Sequence, residues 1–225
     1  MNKLTGIIFD FNGTLFWDGS LHETAWNKMA IKLTGKKLSD SELAHHMHGK
    51  TNRSIIEYIL GHKVSENEKH EIANEKEALY RQACLENKEI FKFADGVEKF
   101  LNTLHNRNIP MGIATSSDKD NVDFFIEHFQ LFKWFSSDTI IFNNGTFPGK
   151  PEPDIFIHAA HKIGVPLTNC IVFEDAPSGI IAAHDAGIGT IIAVASNPVF
   201  EESAYQKTHR IIHSFEEINI NQLLN

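Results

Sequence analysis

The sequence predicts an α/β protein with a doubly wound, mostly parallel Rossmann-like sheet and an inserted helical domain. Short, continuously apolar segments alternate with amphipathic helical segments, which is the pattern of parallel strands buried on both faces. One apolar segment, 7–9, stands alone near the N-terminus, and the others follow only after residue 109. The region between them shows helical periodicity alone. We therefore expect an α/β core formed by residues 1–16 and 90–225, with residues 17–89 inserted as a four-helix cap.

The inserted region contains four predicted helices. Apolar residues recur at helical spacing over 21–33, and Gly35 ends this first helix. Two shorter helices begin near Ser39 and Thr51, because hydroxyl side chains cap helix N-termini. The fourth helix covers about 65–84, a segment rich in Glu, Lys and Ala.

The remaining core elements follow in alternating order. The predicted strands are 110–114, 139–142, 170–173 and 190–194, with a last candidate at 209–212. The predicted helices are 96–106, 121–129, 154–163, 178–186 and 215–224. In sheets of this kind, ligands bind beyond the carboxyl ends of the strands, where the strand order reverses.

Composition narrows the class of partner. The 225 residues carry 29 acidic and 21 basic side chains, so the formal net charge is −8, which argues against a nucleic-acid phosphate backbone as partner. No apolar run approaches the length of a membrane span. The two cysteines, Cys84 and Cys170, have no metal-ligand spacing and are expected to be reduced thiols. We expect a cytoplasmic protein, monomeric or a weak homodimer, that binds a small molecule and has no nucleic-acid or membrane partner.

Polar residues follow four of the predicted strands at their carboxyl ends. They are Asp10, the hydroxyl-rich segment 115–117, Lys150 and the pair Glu174–Asp175. Hydroxyl and amide groups can hold a phosphate, and hard carboxylate oxygens suit Mg²⁺. Each feature alone also fits a helix cap or a surface charge. Their joint occurrence, each after its own strand, favours a single site.

These residues carry a family resemblance. The segments are Asp10-Phe-Asn-Gly-Thr14, Thr115-Ser116, Lys150-Pro151 and Glu174-Asp175. They resemble the four motifs of the haloacid dehalogenase-like (HAD) superfamily. The spacing, together with residues 150–156 and 174–179, most resembles the subfamily with a helical cap after the first motif, which includes β-phosphoglucomutase and small-molecule phosphatases. The resemblance covers nearly the whole chain.

The resemblance implies a Mg²⁺-dependent phosphohydrolase of small phosphorylated metabolites. Asp10 would attack phosphorus and form an aspartyl-phosphate, which splits one difficult transfer into two easier ones. Mg²⁺ would be bound by Asp10, the backbone carbonyl of Asn12, Glu174 and Asp175, and would neutralise a dianionic substrate that these acids otherwise repel.

The resemblance also assigns residues to the transferred phosphoryl group. Thr115, the amide of Ser116 and Lys150 would hold the phosphoryl oxygens and stabilise the charge that develops in the transition state. Lys150 would in addition relieve repulsion among the acidic side chains.

One position departs from the family pattern. The second residue after the nucleophile is an aspartate in the phosphatases and mutases, where it protonates the leaving oxygen and then activates water. Here it is Asn12, whose amide cannot act as a general acid or base. Such catalysis accelerates a reaction about 100- to 10,000-fold. The sequence leaves open a slow phosphatase or one specific for good leaving groups such as acyl phosphates, a different reaction, and a phospho-ligand-binding pseudoenzyme. An engineered substitution is a further alternative.

The cap would supply substrate specificity. The resemblance points to His22 and to the loop residues Lys50, Asn52 and Arg53, which would face Asp10 when the cap closes. Two other reactions are alternatives on these residues. Lys50 would form a Schiff base in a phosphonatase-like cleavage of a C–P bond. A β-phosphoglucomutase-like phosphosugar mutase would need a phosphate-binding cation, and Arg53 lies one residue away from the arginine of the mutase.

Overall fold

The computed structural model describes residues 5–47, 50–195 and 206–224. The chain forms two compact units. One, the α/β unit, consists of Met1–Trp17 and Lys92–Asn225, and the other, the helical unit, consists of Asp18–Phe91. Within the predicted specificity loop, Gly49 lies outside the described residues.

The α/β unit contains a six-stranded, all-parallel sheet with the order β3-β2-β1-β4-β5-β6. The strands are β1 (Gly6–Phe9), β2 (Met111–Thr115), β3 (Ile140–Phe142), β4 (Cys170–Glu174), β5 (Thr190–Val194) and β6 (Arg210–Ile212). The predicted fold class is therefore confirmed. The strand that begins the chain lies at the centre of the sheet, between β2 and β4, so the strand order reverses beside β1.

The two faces of the central strand bury different kinds of side chain. On one face, Ile8 joins an aliphatic core with Ala114, Val172 and Ile191. On the other face, Phe9 stacks on Phe173 with a centroid separation of 5.3 Å. Because side chains alternate along a strand, a strand buried on both faces must be apolar at every position, and β1 is. This burial fixes the register of β1, so that Asp10 follows at the carboxyl end of the central strand.

The helices that connect the strands begin and end close to the predicted positions. In the α/β unit they are α5 (Val97–Asn106), α6 (Lys119–Phe129), α7 (Asp154–Ile163), α8 (Pro177–Asp185) and α9 (Ile220–Leu223). The single closing helix predicted over 215–224 is wrong. A 3₁₀ turn at Phe215–Glu217 is followed by extended backbone at Ile218 and Asn219. The Asn219 side chain accepts hydrogen bonds from the next turn and starts α9 afresh.

The helical unit contains α1 (Gly19–Thr34), α2 (Asp40–His46), α3 (Asn52–Leu60) and α4 (Glu66–Glu86). Ser39, Thr51 and Ser65 cap the last three helices through their hydroxyl groups. Trp26, Met29 and Ile56 belong to the apolar core of this unit. Within the part of the chain that the structure describes, no helix is both long enough and apolar enough to cross a membrane.

Candidate active site

The structure places Asp10 at the carboxyl end of the central strand. The Asp10 backbone N–H donates a hydrogen bond to the carbonyl of Phe173 in β4, at 2.9 Å. The parallel register pairs Phe9 with Phe173, so the residues that follow, Asp10 and Glu174, emerge side by side. The Asp10 side chain is buried in the α/β unit, which gives a carboxylate an environment where neighbouring charges act strongly.

Lys150 binds both carboxylates. Its Nζ donates to Oδ1 of Asp10 at 2.6 Å and to Oε2 of Glu174 at 2.7 Å. The Lys150 side chain is only 4% exposed, and its ammonium group also lies 5.2 Å from the ring centroid of Phe156. A second hydrogen bond, from the backbone N–H of Ala176 to Oε1, orients Glu174. The lysine of the loop before α7 is therefore a buried bridge between two strand ends.

Burial and charge shift the pKa values of this pair. Desolvation, followed by the nearby Glu174 carboxylate, raises the pKa of Asp10 to about 7, although Lys150 opposes the shift. Burial acts to lower the pKa of Lys150, but the attraction of Asp10 and Glu174 outweighs it and holds that pKa above its usual range. Lys150 therefore stays charged, while protons compete with cations for Asp10 near neutral pH.

Asp175 completes an acidic cluster. Asp10, Glu174 and Asp175 each offer one carboxylate oxygen, and these oxygens lie within 4.8 Å of one another. Three hard oxygen donors are the ligand set that Mg²⁺ prefers. The hydroxyl of Thr14 donates to Oδ1 of Asp175 at 3.4 Å. The donor chemistry and the spacing therefore fit a divalent cation.

Two glycines allow the carboxylates to approach the backbone closely. Gly13 has a φ of +81°, and a Cβ added there would lie 2.1 Å from Oδ2 of Asp175. A Cβ on Gly179, in α8, would lie 2.1 Å from Cδ of Glu174. No side chain fits in either place. The backbone thus packs directly against two of the three carboxylates.

The segment after β2 lies at the same edge. Thr115 is the last residue of β2 and is 2% exposed, and its hydroxyl accepts a hydrogen bond from the backbone N–H of Ser117 at 3.2 Å. The Ser117 hydroxyl donates to Oδ1 of Asn12 at 2.8 Å. Ser116 is exposed. The turns after β1 and β2 are therefore joined through Asn12 and Ser117.

The helical unit holds the predicted specificity residues in two separate groups. His22 accepts a hydrogen bond at Nδ1 from the ammonium of Lys76, at 2.8 Å, and its Nε2 lies 3.2 Å from Oδ2 of Asp18. An ammonium can only donate, so Nδ1 of His22 is the acceptor in the contact with Lys76. Lys76 also contacts Glu77 at 2.9 Å, and Glu77 accepts from Nδ2 of Asn52 at 3.3 Å.

The second group contains the basic loop residues. Arg53 donates to the carbonyl of Val64 at 2.9 Å and pairs with Glu57 and Glu66, so acidic neighbours within the helical unit already neutralise it. Lys50 is exposed, with its backbone N–H donating to the carbonyl of Met47. The structure brings His22 and Asn52 into one network, and it leaves Lys50 and Arg53 out of that network.

Several residues of these sites were missed by sequence reasoning. Lys76 is 2% exposed although it lies in α4, a helix rich in charged residues. The ring of Tyr80 stacks on His22, and its hydroxyl donates a hydrogen bond to Asp18. Burial, first, and then the Asp18 charge hold the pKa of Tyr80 well above its usual value, so its hydroxyl stays a donor. The sequence signal that could have identified them is their spacing, because residues one helical turn apart, such as Lys76 and Tyr80, lie on the same face of α4.

The fold and the site define a class: a Rossmann-like α/β protein with a helical insertion and a lysine-bridged acidic site at the carboxyl ends of its strands. The comparison of sequences gives the family. Residues 7–193 match the family model described as haloacid dehalogenase-like hydrolase, and the chain belongs to that family. It is therefore a HAD-family hydrolase, as the motifs predicted.

Curated relatives are phosphatases of small phosphorylated compounds and a mutase. A chloroplastic 5-amino-6-(5-phospho-D-ribitylamino)uracil phosphatase of Arabidopsis thaliana is 25% identical over 219 residues, which are 97% of this chain and 57% of that protein. A probable pseudouridine-5'-phosphatase of Drosophila melanogaster is 30% identical, covering 85% of this chain and 82% of that protein. The β-phosphoglucomutase of Bacillus subtilis is 27% identical, covering 82% and 81%.

A solved structure resembles the whole chain. The crystal structure of a HAD hydrolase, family IA, variant 3, from Entamoeba histolytica HM-1:IMSS is 43% identical and has a TM-score of 0.91. The match covers 98% of this chain and 97% of that one. This chain therefore shares the fold of that HAD hydrolase.

Proposed function

We propose that this protein is a Mg²⁺-dependent phosphohydrolase that acts on a small phosphorylated metabolite through an aspartyl-phosphate at Asp10. The observation that supports it most directly is the buried bridge from Lys150 to Asp10 and Glu174, with Asp175 completing the acidic cluster. The phosphatases among the relatives support the same class of reaction.

Asp10 is the nucleophile of this proposal. The hydrogen bond from its backbone N–H to Phe173 holds the backbone, and Lys150 holds the carboxylate, so the attacking oxygen would be oriented before substrate binds. Because the ammonium of Lys150 donates a hydrogen bond to Oδ1 of Asp10, Oδ2 is the oxygen that would attack phosphorus. Lys150 opposes the rise in the pKa of Asp10 that burial causes, and so favours the ionised carboxylate that attack requires.

The acidic cluster would hold the divalent cation. Asp10, Glu174 and Asp175 supply carboxylate oxygens, and the backbone carbonyl of Asn12 is the expected fourth ligand. Bound Mg²⁺ would polarise the phosphoryl oxygens and screen the substrate from the three carboxylates. The Lys150 ammonium would also stabilise negative charge on the phosphoryl oxygens beside Asp10. The Thr115 hydroxyl and the Ser116 amide would complete the phosphoryl contacts.

The helical unit would determine which metabolite is accepted. The network of His22, Lys76 and Asn52 offers both donors and acceptors, which suits a polyhydroxylated or phosphorylated substrate. Lys50 is exposed, whereas a Schiff-base lysine is activated by desolvation, so among the described residues no contact favours cleavage of a C–P bond.

The proposal is tested by phosphate release from a metabolite panel with and without Mg²⁺. We expect Mg²⁺-dependent turnover in the wild type, and its loss in Asp10→Asn and Lys150→Met. Glu152→Gln is the matched control, because Glu152 is an exposed acid beside Lys150 in the same loop. Full turnover by Asp10→Asn would show that Asp10 is not the nucleophile.

A further inference from the structure

The turn after β1 fixes Asn12 close to Asp10. Gly13 donates its N–H to the carbonyl of Phe16 at 2.7 Å, and Asn12 and Phe16 form an isolated bridge, so this turn has one defined conformation. The Ser117 hydroxyl donates to Oδ1 of Asn12, which directs the amide NH₂ away from Ser117. An amide NH₂ donates a hydrogen bond but releases no proton at neutral pH.

The acidic and basic groups beside Asn12 have other partners. Lys150 is bound to Asp10 and Glu174, and Glu174 also accepts the Ala176 N–H. Asp175 accepts the Thr14 hydroxyl. These contacts commit the described charged groups at the strand ends to charge stabilisation and cation binding. The chemistry of the α/β unit is therefore built for displacement at phosphorus with a leaving group that needs no proton.

We propose that the substrates of this site are acyl phosphates, and that the phosphoryl group accumulates on Asp10. The inference rests on the proposed function, because it uses Asp10 as the nucleophile. An Asp10 oxygen forms a bond to phosphorus while the bond from phosphorus to the acyl oxygen breaks. The electron pair leaves with a carboxylate, whose conjugate acid has a pKa of about 4, so no proton is required.

An alkyl phosphate presents a different demand at the same step. Its leaving oxygen would depart as an alkoxide, which is about as basic as hydroxide, the anion of water with its pKa of about 15.7. Without a proton donor this departure is slow. The geometry at Asn12 thus discriminates between two classes of phosphoryl donor by their leaving groups and not by their shape.

The second half of the reaction is the slow half. Water must attack phosphorus and lose a proton to solvent, while the bond from phosphorus to Asp10 breaks and returns a carboxylate. A general base contributes about 100- to 10,000-fold to such a step, and the amide of Asn12 cannot act as one. Formation of the aspartyl-phosphate is therefore faster than its hydrolysis, and the phosphoenzyme is the species that accumulates.

The test uses acetyl phosphate and glycerol 3-phosphate as donors, with Mg²⁺ present. Intact-protein mass and peptide mapping follow the phosphoryl group, and phosphate release follows turnover. With acetyl phosphate we expect a rapid burst that places nearly one phosphoryl group on each wild-type molecule, at Asp10, followed by slow release. Glycerol 3-phosphate should label the protein far more slowly. Asn12→Asp should lose the burst and gain about 100- to 10,000-fold in turnover of the alkyl phosphate.

Two controls separate the outcomes. Asp10→Asn should take no label, and Glu152→Gln should show the same burst as the wild type, because Glu152 is an exposed acid in the loop of Lys150. If the wild type turned over glycerol 3-phosphate as fast as Asn12→Asp and held no phosphoryl group, the inference would be overturned while the phosphohydrolase proposal stood. If acetyl phosphate neither labelled Asp10 nor released phosphate, the inference would be overturned, and the metabolite panel would test the phosphohydrolase proposal separately.

Discussion

Replacing Asp10 by Asn should remove a pH dependence from the stability of the metal-free protein. The pKa of Asp10 is raised from 3.8 to about 7, mainly by burial. Between these values the folded protein holds a proton that the unfolded chain has released. Stability therefore falls as the pH rises through this window, and the loss is complete above about pH 7.

The size of the effect follows from the shift. Each pH unit well inside the window costs about 1.4 kcal/mol, and the slope declines as Asp10 ionises near pH 7, so Asp10 alone should cost about 2 kcal/mol between about pH 5 and about pH 7. The Lys150 ammonium is protonated in both states over this range, so it adds no slope. The asparagine variant has no titrating group at this position. The difference in unfolding free energy between Asp10→Asn and the wild type should grow by this amount.

Urea unfolding from about pH 5 to about pH 8 in the presence of a chelator measures the difference. Glu152→Gln serves as control, because this exposed acid should leave the wild-type slope unchanged. Adding Mg²⁺ should flatten the wild-type slope, since a bound cation favours the ionised cluster. Parallel stability profiles for Asp10→Asn and the wild type would refute the assignment of burial as the cause.

Three further substitutions test other parts of the structure. Gly13→Ala should weaken Mg²⁺ binding about 10- to 100-fold in calorimetry, because the added Cβ displaces Asp175. Gly149→Ala is the control: a Cβ at Gly149 meets no atom within 4 Å, so this variant should bind Mg²⁺ as the wild type does. Lys76→Met should lower the unfolding free energy by about 3 to 5 kcal/mol, since it leaves Glu77 and its buried neighbours uncompensated; an unchanged urea midpoint would contradict this. Phe9→Ala should cost about 3 to 5 kcal/mol in the same assay, and a loss below 1 kcal/mol would mean that the aromatic core does not depend on it.

The strands were predictable because burial on both faces leaves an unmistakable pattern. β1 is an apolar run that ends directly before Asp10, β4 is apolar up to its last residue, Glu174, and β5 is apolar after Thr190. The closing helix was not predictable to the same degree. Apolar residues at 215, 218, 220 and 224 imitate helical periodicity, but a capping asparagine interrupts the backbone hydrogen bonds.

The sequence alone determined the family, the first strand and the acidic and basic residues that follow the strands, whereas the central place of that strand in the sheet came from the structure. It also identified Asn12 as the departure from the family pattern, because residue identity decides whether a side chain can transfer a proton. These conclusions need only chain order and side-chain chemistry.

The tertiary structure decided which of these groups act together. It joined Lys150 to Asp10 and Glu174 across 140 and 24 residues of chain. It also buried Lys76, which the charged sequence of α4 marks as a surface residue. The physical reason is that desolvation and close approach depend on what packs around a side chain, and that packing is a property of the folded chain.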